Sequence, residues 1–116
     1  MPKRKLDPLP SAAFQILLSL ANKDLHGYGI MRNVEEQTNG RTRLGPGTLY
    51  SSIQALLEEK LIKEVAPVSS LNVRDERRRY YHLTRAGRML ARSEAERMID
   101  LLQIARAKKI LGGEYV

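Results

Sequence analysis

Apolar residues first gather at Phe14, Ile16, Leu17, Leu18 and Leu20, behind Pro8 and Pro10. This predicts a helix over 11–22 with Ser11 as its N-cap, apolar around much of its circumference and therefore largely buried. Tyr28, Met31 and Val34 then recur at helical spacing with Ile30 beside them, predicting a second helix over about 28–38. His26-Gly27 breaks the chain ahead of it, and Asn39-Gly40, which tolerate left-handed backbone, end it. Arg41 to Leu44 reads as a short link that adds a minimal strand. A third helix opens at Gly45-Pro46-Gly47, with proline where the first turn needs no N–H, and reaches about Lys60.

Leu61 to Val65 reads as a strand, followed by Pro67 and a polar loop. Arg78 to Leu83, rich in tyrosine, reads as its antiparallel partner, with Tyr81 and Leu83 facing the core. Thr84 is placed to cap a last helix that runs to about Leu111, where Gly112-Gly113 stops it. At about 1.5 Å per residue that helix is on the order of 40 Å long. The order is helix, helix, brief strand, helix, strand, loop, strand, long helix. It defines a mainly α chain with a small β-hairpin, of the α+β class. Two helices across a short link suggest a helix-turn-helix, and the hairpin supplies a wing. The expected organisation is a basic arm over 1–10, a winged helix-turn-helix over 11–83, a C-terminal helix over 84–111 and a tail over 112–116.

The third helix has two unlike faces. Leu49, Ile53, Leu56 and Leu57 cluster on the side that must face the core. Gly47, Thr48, Ser51, Gln54 and Ala55 fall opposite, with Tyr50 at the margin, and no carboxylate occurs before Glu58. Such a short-chained, hydrogen-bonding surface can enter a major groove without setting like charge against phosphate. An amphipathic helix that merely meets water gives a similar pattern. Two neighbours favour the groove: Arg41 and Arg43 in the preceding link, and the run Arg74-Asp75-Glu76-Arg77-Arg78-Arg79 in the hairpin. Arg77 and Arg78 are expected at the wing base, within reach of phosphate or the minor groove. The alternative is a solvated turn in which Asp75 and Glu76 pair with these arginines.

Charge strengthens the nucleic-acid reading. The 116 residues carry 20 basic and 13 acidic side chains, a net charge of +7, which favours a polyanionic partner. The length suits one domain, which buries roughly two-thirds of the surface of its unfolded chain. The absence of cysteine excludes disulfides and thiolate metal sites. No apolar run approaches the roughly 20 residues that cross a bilayer, and the basic N-terminus has no apolar stretch after it, so a cytoplasmic location is expected. Only His26 and His82 could act as imidazole bases, and neither has a nucleophile nearby in sequence. Gly27-Tyr28-Gly29 and Gly45-Pro46-Gly47 lack the strand and full motif of phosphate-cradling loops. No catalysis, cofactor or metal is expected. Two other readings stand beside double-stranded DNA. A small basic RNA-binding protein would expose aromatics for stacking, whereas Tyr28, Tyr80 and Tyr81 read as part of the packed fold. A protein-interaction module would show an apolar or acidic third helix.

In the last helix, Ala91, Ala95, Met98, Leu102 and Ala105 are spaced four, three, four and three apart. This heptad-like stripe, widened by Leu90, Ile99 and Leu101, suits packing on a partner helix. A helix this long cannot bury its stripe on a three-helix domain, so the same helix of a second subunit is expected across a two-fold axis. Ala91, Ala95, Met98, Leu101, Leu102 and Ala105 are the expected dimer contacts. A two-fold dimer sets two reading helices about 34 Å apart or a multiple of it, on a roughly palindromic operator.

Three segments carry a family resemblance. Leu25-His26-Gly27-Tyr28-Gly29-Ile30 resembles the start of the second helix of PadR-like transcriptional regulators. Gly47-Thr48-Leu49-Tyr50 is similar to their recognition-helix signature. Leu61-Ile62 with Arg79-Tyr80-Tyr81-His82-Leu83-Thr84-Arg85-Ala86-Gly87 resembles their wing strands and the turn into the last helix. The likeness runs from about residue 12 to 90, in order and spacing. It implies a winged helix-turn-helix repressor of the family's small branch, dimerising through one C-terminal helix, with Thr48, Tyr50, Ser51 and Gln54 at the DNA interface. Members sometimes respond to phenolic or drug-like compounds, so a small-molecule effector is left open. Three departures stand out. Lys60 occupies the place of a usual glycine at the recognition-helix end. The wing loop from Pro67 to Glu76 has no glycine. The chain has no tryptophan, which excludes the ligand sandwich between tryptophans found in some multidrug-sensing relatives.

Overall fold

Pro10, extended at φ −63° and ψ 150°, starts the first helix, α1 (Ser11–Ser19), in a computed structural model that describes residue 6, residues 9–66 and residues 78–112. Ser11 is the first helical residue and not the cap; its hydroxyl accepts from Gln15 Nε2 at 3.1 Å. The helix stops at Ser19 and not at Asn22, because the Leu20 N–H is shared between the Ile16 and Leu17 carbonyls at 3.3 and 3.2 Å. Leu6 and Leu9, in the segment read as an arm, are buried and join the core. Lys3, Arg4 and Lys5 lie outside the described residues.

The remaining elements are β1 (Leu25–His26), α2 (Gly27–Gln37), α3 (Pro46–Glu58), β2 (Ile62–Val65), β3 (Tyr80–Leu83) and α4 (Arg85–Ala107). The sheet order is β1-β3-β2, all antiparallel, with Leu25 opposite Tyr81, His26 opposite Tyr80, and Ile62 opposite Leu83. The third strand is thus Leu25–His26 and not Arg41–Leu44. The latter is a link tied to the end of α2, where the Thr42 N–H donates to Thr38 Oγ1 at 3.0 Å, and Leu44 is buried beneath it. No helix among the described residues is long and apolar enough to cross a membrane.

The core sits between α1, α2, α3 and the sheet. Ile16, Leu17, Ile30, Val34 and Leu56 are fully buried, with Leu61 and Ile62 entering from the wing. Each such aliphatic side chain contributes about 1.5–3 kcal/mol on leaving water. Leu49, Ile53 and Leu56 of α3 face inward as their spacing requires, and Leu57 is half-buried. Ala55 is also buried: its methyl is small enough to be covered at the edge of the apolar face, which narrows the exposed one. Tyr81 and Leu83 face the core.

Three helices end in the same way. Asn39, Lys60 and Lys109 have φ of 52°, 59° and 62°. Behind α3, the Lys60 N–H donates to the Leu57 carbonyl at 3.0 Å and the Leu61 N–H to the Leu56 carbonyl at 2.9 Å, the paired bonds of a Schellman end. Lysine therefore holds the left-handed position that favours glycine, at a cost of about 1–2 kcal/mol for an L-residue. Lys60→Gly should raise stability by about 1 kcal/mol, read as a higher urea midpoint with an unchanged slope; an unchanged midpoint would remove the strain argument. Lys109 likewise ends α4 at Ala107, ahead of Gly112.

The end of α3 and the start of α4 are joined directly. Thr84 caps α4 by accepting from the Gly87 N–H at 3.1 Å, and its hydroxyl donates to the Lys60 carbonyl at 2.8 Å. The Thr84 N–H donates to the Leu61 carbonyl at 3.1 Å. Beyond this joint, Leu90, Ala91, Ala95 and Met98 pack half-buried on their own core, and Glu94 is buried beside them with Arg97 as its hydrogen-bonded partner. The apolar side chains further along, Ile99, Leu101, Leu102 and Ile104, are each about half exposed, at 54, 51, 49 and 50%.

Candidate nucleic-acid interface

The N-terminal half of α3 presents Gly47, Thr48, Tyr50, Ser51 and Gln54 to solvent. Gly45 and Pro46 start the helix without a side-chain cap, so the first backbone N–H groups keep their donor capacity. The polar side chains are held from within the helix. The Ser51 hydroxyl donates to the Thr48 carbonyl at 3.3 Å, and Gln54 Nε2 lies 3.4 Å from Glu58 Oε1. Arg41 and Arg43 are exposed in the preceding link. Arg43 pairs with Glu35 at 2.8 Å, with 80% of its side chain still accessible, so the pair is worth little against a phosphate. Arg41 lies beside Gln37, Thr38, Asn39 and Thr42 in a shallow polar cavity at the helix-turn-helix corner.

Beside α3 lies a second basic feature that the sequence did not disclose. His26, Gly27 and Tyr28 from the start of α2, Tyr50 from α3, and Arg78, Arg79 and Tyr81 from the wing base line one open cavity of 340 Å³. His26 is the pivot of its arrangement. Its Nδ1 accepts from the Gly29 N–H at 3.0 Å, capping α2, and its Nε2 lies 2.9 Å from Arg78 Nη1. The ring stacks on Tyr28 and meets Tyr80 edge-on, at centroid distances of 6.4 and 5.2 Å. Arg79 sits 3.8 Å from Glu64, both side chains largely exposed. Burial, and then the Glu64 charge, hold the Tyr81 phenol above its usual range, so it stays neutral.

The expected site residues thus fall into two places. Thr48, Tyr50, Ser51 and Gln54 share the open face of α3, flanked by Arg41 and Arg43, while Arg78 meets Tyr50 across the cavity. Arg77 and the wing loop 67–76 lie outside the described residues. His26 and Gly27 were missed as site residues. The His-Gly-Tyr-Gly run was their only signal, because the pairing of β1 with β3 is what brings them to Arg78. Tyr28 is not packed into the fold: it is 54% exposed, with the Arg32 guanidinium 5.9 Å from its ring centroid. His82 hydrogen-bonds Asp24 at 2.7 Å on the outer face of the sheet.

A helix-turn-helix whose second helix is open to solvent, followed by a hairpin with arginines at its base, defines a winged helix-turn-helix protein. The transcriptional regulator PadR-like family model matches residues 16–93, and the chain belongs to that family. It is 37% identical over 90 residues to an uncharacterized 37.1 kDa protein in transposon TN4556 of Streptomyces fradiae, a match covering 78% of this chain and 24% of that protein. The chain thus spans about a quarter of the length of that relative. Its fold is similar to that of a PadR family transcription regulator from Clostridium difficile R20291, with a TM-score of 0.72 and 22% identity over 89% of this chain and all of the other. It is also similar to that of Bacillus subtilis PadR in complex with operator DNA, with a TM-score of 0.62 and 19% identity over 74% of this chain and 47% of the other.

Proposed function

We propose that this protein is a homodimeric transcriptional repressor that binds double-stranded DNA by inserting the N-terminal half of α3 into the major groove. The observation that carries the reading is the exposed face of α3. It is short-chained, rich in hydrogen-bonding groups, and free of carboxylate before Glu58. Thr48, Ser51 and Gln54 are the proposed base-edge readers, since hydroxyl and amide groups suit major-groove patterns. Arg41, Arg43, Arg77 and Arg78 are the proposed phosphate contacts that set register without reading sequence. The second subunit joins through α4 beyond Met98, where half-exposed leucine and isoleucine side chains have no cover in a single chain. The proposal includes a cytoplasmic location and relief of repression by a small-molecule effector of unassigned identity.

Selection of bound duplexes from a random pool tests the reading. Enrichment of inverted repeats, with half-site centres about one helical turn apart or a multiple of it, is the expected result. No enrichment over the starting pool, or preferential binding of single-stranded RNA, would overturn it. Affinity should fall steeply with salt, because each neutralised phosphate releases condensed counterions and adds about −0.9 to the log–log slope. A flat response between 50 and 200 mM salt, roughly the range over which such contacts are lost, would contradict the arginine assignments.

A further inference from the structure

The cavity between α2, α3 and the wing base has a feature that local structure does not explain. Gly27 opens α2 with φ outside the left-handed region, Gly40 being the positive-φ glycine among the described residues. Its backbone therefore does not require glycine, and glycine is a weak helix former. What it accommodates is Tyr50, whose ring tip a side chain here would push aside. A Cβ on Gly27 would lie 2.7 Å from the Tyr50 hydroxyl and 3.1 and 3.2 Å from two ring carbons. The missing side chain lets the phenol lie across the start of α2, with its hydroxyl at the cavity that Arg78 and Arg79 also line. The ring remains 54% exposed, so it is held in place without being withdrawn from the surface.

The chemistry of the cavity is that of a tetrahedral oxyanion. Among the described residues it offers the Arg78 and Arg79 guanidinium groups and the Tyr50 hydroxyl as donors, its walls present aromatic faces, and Glu64 stands at the outer edge beside Arg79. The Arg78 guanidinium lies 2.9 Å from the His26 imidazole Nε2, which holds it at the mouth of α2. The cavity also adjoins α3, the element proposed to enter the groove. We infer that this cavity seats one backbone phosphate of the duplex in each half-site, with the Tyr50 hydroxyl and Arg78 as its donors and Gly27 as the positioning residue that admits Tyr50. This rests on the DNA-binding reading and adds to it the place where the backbone is gripped. Phosphate clamping here would fix the angle at which α3 enters the groove, because Tyr50 is itself part of that helix.

The test uses the full chain and a duplex taken from the selection, scanned with single neutral methylphosphonate substitutions. One position per half-site should weaken the wild-type protein about tenfold, the scale of one charge-assisted hydrogen bond, yet weaken Tyr50→Phe and Arg78→Ala less than about twofold. Gly27→Ala should melt no lower than wild type and bind the unmodified duplex about tenfold more weakly. In the Tyr50→Phe background, which lacks the crowding hydroxyl, the same change should cost less than about threefold. A merely structural glycine would lower the melting temperature in both backgrounds, and that result would overturn the positioning role. A scan in which no phosphate separates wild type from Tyr50→Phe would overturn the seat while leaving DNA binding intact. Failure of the wild-type protein to bind any duplex would instead remove the DNA-binding reading itself. The same oxyanion chemistry could be met by free phosphate. Saturable binding of inorganic phosphate below about 1 mM at constant ionic strength, abolished in Arg78→Ala but with no methylphosphonate effect, would overturn the backbone assignment; at this affinity the anion would gain over 4 kcal/mol without any DNA.

Discussion

Gly87→Ala is expected to destabilise the protein by about 3 kcal/mol or more, the upper end of what overpacking costs. A Cβ at this position would stand 2.0 Å from the Leu61 carbonyl oxygen and 2.7 Å from a Leu83 methyl. The carbonyl is backbone and is also the acceptor for the Thr84 N–H, so it cannot move aside without breaking the joint between α3, β2 and α4. A domain has a total stability of only about 5–15 kcal/mol. The loss should therefore appear as a melting temperature lower by on the order of 10 °C and a lower urea midpoint. Gly45→Ala is the control, because nothing lies within 4 Å of its would-be Cβ. Its midpoint should stay near that of wild type. Equal midpoints for Gly87→Ala and Gly45→Ala would show that α4 does not cross the wing as closely as described.

Leu102→Glu should convert the proposed dimer to a folded monomer and lower operator affinity by about a hundredfold or more, the gain that linking two half-site contacts supplies. Leu102 is 49% exposed in the single chain, so the substitution spares the domain's own core. In a dimer it would bury an unpaired carboxylate. Met98→Glu is the less clean variant. Met98 packs against its own core as well, so its replacement should lower the melting temperature together with the association constant. Sedimentation and thermal melting on both variants separate the two effects. Leu102→Glu remaining a full dimer would show that the exposed stripe of α4 is not the interface.

How far the sequence carried the fold depends on the length of each element. The spacing in α2, α3 and α4 was strong enough to place their starts within a residue, since Pro46 and Thr84 act locally. Helix ends were harder to place. Lys60 and Lys109 adopt the left-handed backbone without the glycine that would have marked it, and Gly112 drew the expected end of α4 past its true one. The strand Leu25–His26 was missed because two residues carry no alternation. It exists through its pairing with β3 and not through its own composition. The heptad-like stripe of α4 was legible as apolar, but the periodicity could not say which part the protein's own core uses. Ala91, Ala95 and Met98 lie on that core, and the uncovered part lies further along.

By itself, the sequence determined the winged helix-turn-helix order, the inward residues of α3, and the short-chained face it leaves exposed, because each follows from local periodicity and capping. Tertiary structure alone decided the setting of that face. Pairing of β1 with β3 brings His26 to Arg78 across 52 positions of chain, and the absence of a side chain at Gly27 makes room for Tyr50. Neither fact is local. Both depend on which surfaces the core forces together, and a linear pattern of apolar and polar residues does not encode the distance between two surfaces that meet only after folding.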